Sequence, residues 1–199
     1  MTSTPPAAPA DTASLLRRGF ALEWVTLAWN VVGIVVLAFA AVAARSVALA
    51  GFGLDSLIEI GASTVVIWEL SGTGEDRQRK AMRLIGAGFV ALALYLLVQS
   101  TWVLVSGFRA HHSPAGIVWT AVTAVVMFAL AYGKARTGEA LDNPVLKTEG
   151  RVTFIDGLLA TAVLLGLVLS VWGLWWADPL AGYVIVYYGI KEARAAFTH

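Results

Sequence analysis

Residues 157–177 contain no charged side chain. At 1.5 Å of rise per residue such a run is about 30 Å long, the thickness of the hydrocarbon core of a bilayer. It is one of several. Charged residues punctuate the chain so that predominantly apolar stretches fall at 20–43, 46–70, 82–107, 115–133, 146–173 and 175–195, close to the length a transmembrane helix needs. Lys191 and Glu192 shorten the clean part of the last stretch, and their heads are expected to snorkel to the interface. With 58% of its residues hydrophobic and 14% charged, a 199-residue chain holds more apolar surface than one soluble core can bury. The expectation is an all-α membrane protein, a six-transmembrane-helix bundle over residues 19–199. A disordered tail, 1–18, is expected to precede it, since its Pro-, Ala- and Thr-rich start lacks the apolar segment of a signal peptide.

Basic residues sort by side in this scheme. Arg17, Arg18, Arg77, Arg79, Lys80, Arg83, Lys134, Arg136, Lys147, Arg151, Lys191 and Arg194 fall on one side, and only Arg45 and Arg109 on the other. The positive-inside rule then predicts that both termini are cytoplasmic. Trp102, Trp119, Trp172, Trp175 and Trp176 lie near the predicted outer ends and Trp24 and Trp68 near the inner ends, as interfacial aromatic belts require. Residues 71–80 and 134–145 read as polar connections, with Gly72, Gly74, Gly138, Asn143 and Pro144 as breakers. Small residues such as Gly86, Gly88 and Ala91 allow close helix packing. The net charge of +1 says little about partners, and no nucleic-acid partner is expected; nor is the chain read as an enzyme. With no cysteine, any metal must be held by oxygen or imidazole nitrogen.

The chemistry concentrates in a few polar residues inside these stretches. Asp55 and Glu59 stand one helical turn apart in the second, so their carboxyl groups share a face and can converge on one ion or one proton. An acid at the centre of a membrane helix costs roughly 2.5–3.5 kcal/mol on insertion scales, which makes a functional role the default; a buried pair that only links helices is the alternative. Asp156 is a third acid, level with the other two if the fifth helix starts near Pro144. Glu149, two turns before it on the same face, is either a ligand at the mouth of a cavity or the partner of Lys147 or Arg151 at the surface. Asn30, seven residues after Glu23 on the first helix, serves equally well as a further ligand or as an interhelical hydrogen-bonding residue, and Glu23 lies near enough the inner boundary to be solvated. His111 and His112, in an outer loop, read as a solvated pair.

The run 46–63, SVALAGFGLDSLIEIGAS, resembles the second transmembrane helix of the cation diffusion facilitators, or cation efflux proteins. Residues 146–159, LKTEGRVTFIDGLL, resemble their fifth helix, and 175–182, WWADPLAG, the start of their sixth. The resemblance implies that Asp55, Glu59 and Asp156 are ligands of a central divalent-cation site, with Glu149, Asn30 or water completing the shell. The family's usual fourth ligand, four residues before the fifth-helix Asp, is here Val152, which cannot coordinate a metal. No segment corresponding to the family's cytoplasmic metal-binding domain follows the sixth stretch, so the likeness is to the short branch of the family. It implies proton-coupled export of a divalent metal ion, with zinc first by family frequency and manganese, iron or cobalt favoured by an all-carboxylate site. It further implies a homodimer in a lipid bilayer, taken to be the plasma (inner) membrane. A membrane protein that binds a metal or a partner helix without transporting anything is the competing reading.

Overall fold

The computed structural model describes residues 9–44, 47–107, 114–169, 173–174 and 176–198. Six α-helices run through them: α1 Pro9–Ala44, α2 Val47–Leu70, α3 Glu75–Ser106, α4 Pro114–Ala140, α5 Pro144–Leu169 and α6 Ala177–Phe197. The first five contain stretches long and apolar enough to cross a membrane. The sixth has the length, but Lys191, Glu192 and Arg194 crowd its last turns. No strand occurs among the described residues.

Three helices outrun the apolar stretches that announce them. α1 begins at Pro9, so the expected tail is helical over 9–18, while residues 1–8 lie outside the described residues. The local chemistry accounts for the correction: Pro in the first turn loses no intrahelical bond, Asp11 sits at the positive end of the helix dipole, and the following residues include good helix formers. α3 starts at Glu75, again with acids in its first turn. α4 continues to Ala140, which removes most of the expected connection at 134–145 and makes Lys134 a residue of the helix.

The turn left between α4 and α5 is tight. Asp142 takes the left-handed conformation, with φ 50°, and the Asn143 N–H donates to Gly138 O at 2.8 Å. Asn143 Oδ1 then accepts from Leu146 N–H at 2.9 Å, capping α5 just before Pro144. Its Nδ2 donates to both Glu69 oxygens, at 3.0 and 3.2 Å, and so ties the end of α2 to the start of α5. At the neighbouring α2–α3 turn the Arg77 guanidinium lies over the Trp68 ring, 4.1 Å from its centroid. It also donates to Trp68 O and to the Ser71 hydroxyl, satisfying one carbonyl at the helix end.

Successive helices run antiparallel. Gly33 lies by Ser56 and Gly53 by Leu37 on α1 and α2; Gly86 lies by Ala196 and Gly189 by Ala93 on α3 and α6. The main packing partners are α4 with α5, α3 with α6, and α1 with α2. Further contacts of α1 with α4 and of α2 with α5 close a ring of four, α1–α2–α5–α4, and α3 and α6 pack beside its α2–α5 edge. Large apolar side chains cover much of the surface, and a polar seam lies inside beside an apolar core. Val31, Val35, Phe39, Leu94, Val98 and Val125 are exposed, whereas Glu23, Thr26, Asn30, Asp55, Glu59, Ser63, Lys134, Glu149, Thr153 and Asp156 are buried. Apolar side chains outward and polar ones inward is the arrangement a lipid solvent selects. Trp24, Trp68, Trp102 and Trp176 belong to the exposed set. Trp119 departs from the expected belt: its ring turns inward and stacks on Trp29 at 5.1 Å. Trp172, Trp175, His111 and His112 lie outside the described residues.

Candidate cation site

The four-helix ring has a polar seam, and two of its helices carry the acids singled out in the sequence. α5 starts at Pro144, which sets Asp156 about 18 Å along the helix axis. Asp55 and Glu59 lie on the middle turns of α2. The antiparallel register of the two helices makes these positions level: Ser63 meets Glu149, Glu59 meets Thr153, and Asp55 meets Asp156. Asp55, Glu59 and Asp156 are each no more than 2% exposed.

Asp55 and Asp156 bring their carboxyl groups within hydrogen-bonding reach of each other across the seam. Two carboxyl groups tolerate such an approach with a proton or a cation between them, and not as bare anions. Among the described residues no donor reaches Asp156 Oδ1, Asp156 Oδ2 or Asp55 Oδ2. Orphaned buried oxygens carry a desolvation cost that a cation or proton removes.

One turn toward the end of the bundle where α5 begins, the chemistry changes. Glu59 Oε1 accepts a 2.6 Å hydrogen bond from Thr153 Oγ1, while Glu59 Oε2 receives none. Thr153 Oγ1 in turn accepts from Lys134 Nζ at 3.0 Å. The Lys134 ammonium, fully buried, pairs with Glu149 Oε1 at 2.5 Å and with Glu23 Oε2 at 3.2 Å, and both of these acids are fully buried as well. Ser63 Oγ adds a weaker donor to Glu149 Oε1 at 3.4 Å. One cation thus faces three glutamates, two directly and Glu59 through a hydroxyl. Taken as they stand, no three carboxylate or imidazole side chains of the described residues form a group that would hold a metal ion.

The sequence-predicted residues therefore separate. Asp55 and Asp156 are brought together, and Glu59 is beside them but turned toward Thr153. Glu149 pairs with neither Lys147 nor Arg151; it pairs with Lys134, and Arg151 instead reaches Glu192 on α6 at 2.9 Å. Glu23, expected to be solvated, is buried against Lys134 because α4 continues past its apolar stretch. Asn30 is buried, with its amide Nδ2 donating to Thr26 O of its own helix at 3.0 Å. Val152 packs in the apolar core.

Lys134 and Thr153 were missed as parts of the seam. A lysine at the end of an apolar stretch reads the same whether it snorkels or turns inward. The helix-compatible segment after it, 135–140, is the one hint in the sequence, since it places Lys134 two turns inside α4 without fixing which way its side chain turns.

A multi-pass helical membrane protein with a carboxylate pair buried midway along two facing helices is the class these features define. A model of the cation efflux transmembrane domain matches residues 82–198, more than half of the chain, and the chain belongs to the cation efflux family of membrane cation transporters. The matched segment reaches from α3 through α6; it includes Lys134, Glu149, Thr153 and Asp156 and stops short of Asp55 and Glu59. The chain is also similar to Transmembrane protein 163 of Xenopus laevis, with 21% identity over 193 residues, covering 92% of this chain and 69% of that protein.

Proposed function

We propose that this protein exports a divalent metal cation in exchange for protons, using Asp55, Asp156 and Glu59 as ligands and alternating access of the bundle to the two sides. The observation that carries this reading is the Asp55–Asp156 pair, two buried carboxyl groups that face each other at mid-helix with three oxygens that no donor among the described residues reaches. A divalent ion supplies the charge these oxygens lack. Glu59, whose Oε2 is also without a donor, joins them by a side-chain rotation. Oxygen donors alone make a hard site, so manganese, iron and cobalt are favoured over zinc relative to a site containing imidazole. Protons compete for the same atoms, because a carboxyl group must be deprotonated to ligate. The excess of basic residues at the bundle end holding the start of α1 and the end of α6 supports cytoplasmic termini. By family likeness the protein is a homodimer of the plasma (inner) membrane.

A second reading, a membrane protein that binds metal or a partner helix without transporting, is favoured by one observation: no three acids of the described residues form a group that would hold a metal ion as they stand. Metal-dependent proton flux in proteoliposomes separates the two. Wild-type protein is expected to move manganese, cobalt or zinc against a proton gradient, with binding weakening as pH falls. Asp156→Asn, which keeps shape and removes charge, is expected to abolish flux and weaken binding by more than the roughly 10–100-fold typical of residues behind a ligand. Binding without flux in the wild type would establish the second reading.

A further inference from the structure

We infer that Lys134 is a positioning residue that acts as a tethered cation, competing with the transported ion for the carboxylates of the α2–α5 seam and holding Glu59 back through Thr153. The inference rests on the proposed ion site. It goes beyond that site because Lys134 is no ligand and lies on α4, which carries neither aspartate.

The geometry sets up the competition. A fully buried ammonium needs counter-charge, and Glu149 at 2.5 Å and Glu23 at 3.2 Å supply it. Its remaining contact is Thr153 Oγ1 at 3.0 Å. That hydroxyl, having accepted from Lys134, has a single proton and two acceptors in reach, Glu59 Oε1 at 2.6 Å and Glu149 Oε1 at 3.2 Å; Glu149 Oε1 already takes the ammonium, and the shorter bond goes to Glu59. Lys134, Thr153 and Glu59 therefore form a directed chain, and each link polarises the next. Glu59 cannot turn both oxygens to an ion beside Asp55 and Asp156 while this bond lasts.

An ion arriving at the seam gains Glu59 by breaking the Thr153 bond, and its positive charge repels the ammonium close by. The lysine thus lowers ion affinity and speeds release. This is an opposite sign from what a structural prop would give, since losing a prop loosens a site, whereas losing a competitor tightens it. Glu23 and Glu149, which face the lysine from α1 and α5, keep it in place on the side away from the aspartates.

The test is calorimetric titration with manganese, cobalt and zinc, alongside proteoliposome flux, on wild type, Lys134→Gln, Lys134→Arg and Thr153→Val. Thr153→Val removes the hydroxyl link without changing any charge and decides the question if Lys134→Gln does not fold. Expected are ion affinity raised about tenfold in Lys134→Gln, on the scale at which residues behind a ligand act, and a smaller rise in Thr153→Val. KM and kcat should fall together in both, and Lys134→Arg should restore wild-type behaviour. Wild type that binds ions, with folded Lys134→Gln or Thr153→Val binding them no more tightly, overturns the role of Lys134 and leaves the transporter reading standing. Wild type that binds none of the three ions overturns that reading, and this one with it.

Discussion

The polar seam of the four-helix ring carries two acidic clusters one to two turns apart, and they are satisfied in opposite ways. At one level Asp55 and Asp156 face each other with no donor on three of their four oxygens. At the next, Glu23 and Glu149 flank an ammonium that the protein supplies itself, and Glu59 is drawn toward it through Thr153. The first cluster is built to receive a cation and the second already owns one. A membrane interior makes both arrangements costly to leave unbalanced, so the contrast distinguishes a site for something mobile from a site that is part of the fold.

The sharpest way to break the contrast is to neutralise one charge at each level and compare stability. Lys134→Met leaves buried glutamates without their cation and is expected to cost about 3–5 kcal/mol, the usual consequence of removing one partner of a buried ion pair. Asp156→Asn does the reverse: it relieves an approach of two acids and places an amide donor beside Asp55, so stability should hold or rise. Unfolding in detergent followed by circular dichroism measures both. Equal destabilisation by the two substitutions would mean that the clusters do the same work.

A smaller effect is expected from the packing that brings α4 against α5. A Cβ on Gly138 would lie 2.8 Å from the backbone nitrogen of Lys147 and 2.9 Å from its Cγ, so Gly138→Ala must push the two helices apart. Overpacking of this kind costs about 1–3 kcal/mol. The displacement bears on the Lys134–Glu149 pair, which spans α4 and α5, and not on Asp55 and Asp156, which span α2 and α5. Gly138→Ala is therefore expected to lower thermal stability while leaving the affinity of the aspartate pair within a few-fold of wild type by titration. Loss of ion binding out of proportion to loss of stability would show that the two levels are mechanically one.

The sequence made one level of this seam legible and hid the other. Asp55, Glu59 and Asp156 stand out because each interrupts an apolar stretch, and apolar length also announces the spans. Hydropathy finds where a chain crosses lipid, however, and not where its helices end. α1, α3 and α4 all extend beyond their apolar stretches. Lys134 sits in such an extension, where a lysine pointing to water and one pointing into the bundle share the same sequence neighbours. Its partners Glu23, Glu149 and Thr153 come from two other helices, and only their three-dimensional packing tells that they meet. Val152 shows the limit from the other side. Its position follows from spacing to Asp156, yet its role in the apolar core had no separate signature in the sequence.

The smallest expected effect supplies the control for both levels. Arg151 follows Glu149 by two residues on α5 and also makes an ion pair, with Glu192 on α6 at 2.9 Å, but the arginine side chain is 51% exposed and the glutamate 19%. Solvent screens the attraction, and the two long side chains lose rotamer freedom in holding one geometry. Glu192→Ala is therefore expected to cost less than about 1 kcal/mol. It is also expected to leave ion affinity unchanged, since neither partner belongs to the chain of contacts from Lys134 to Glu59. Measured beside Lys134→Met in the same detergent, it separates the effect of burial from that of charge. Two ion pairs then share one helix, and only the pair shielded from water should register strongly. A loss as large for Glu192→Ala as for Lys134→Met would place the weight of the fold on the α5–α6 contact and remove the case that the buried cluster is special.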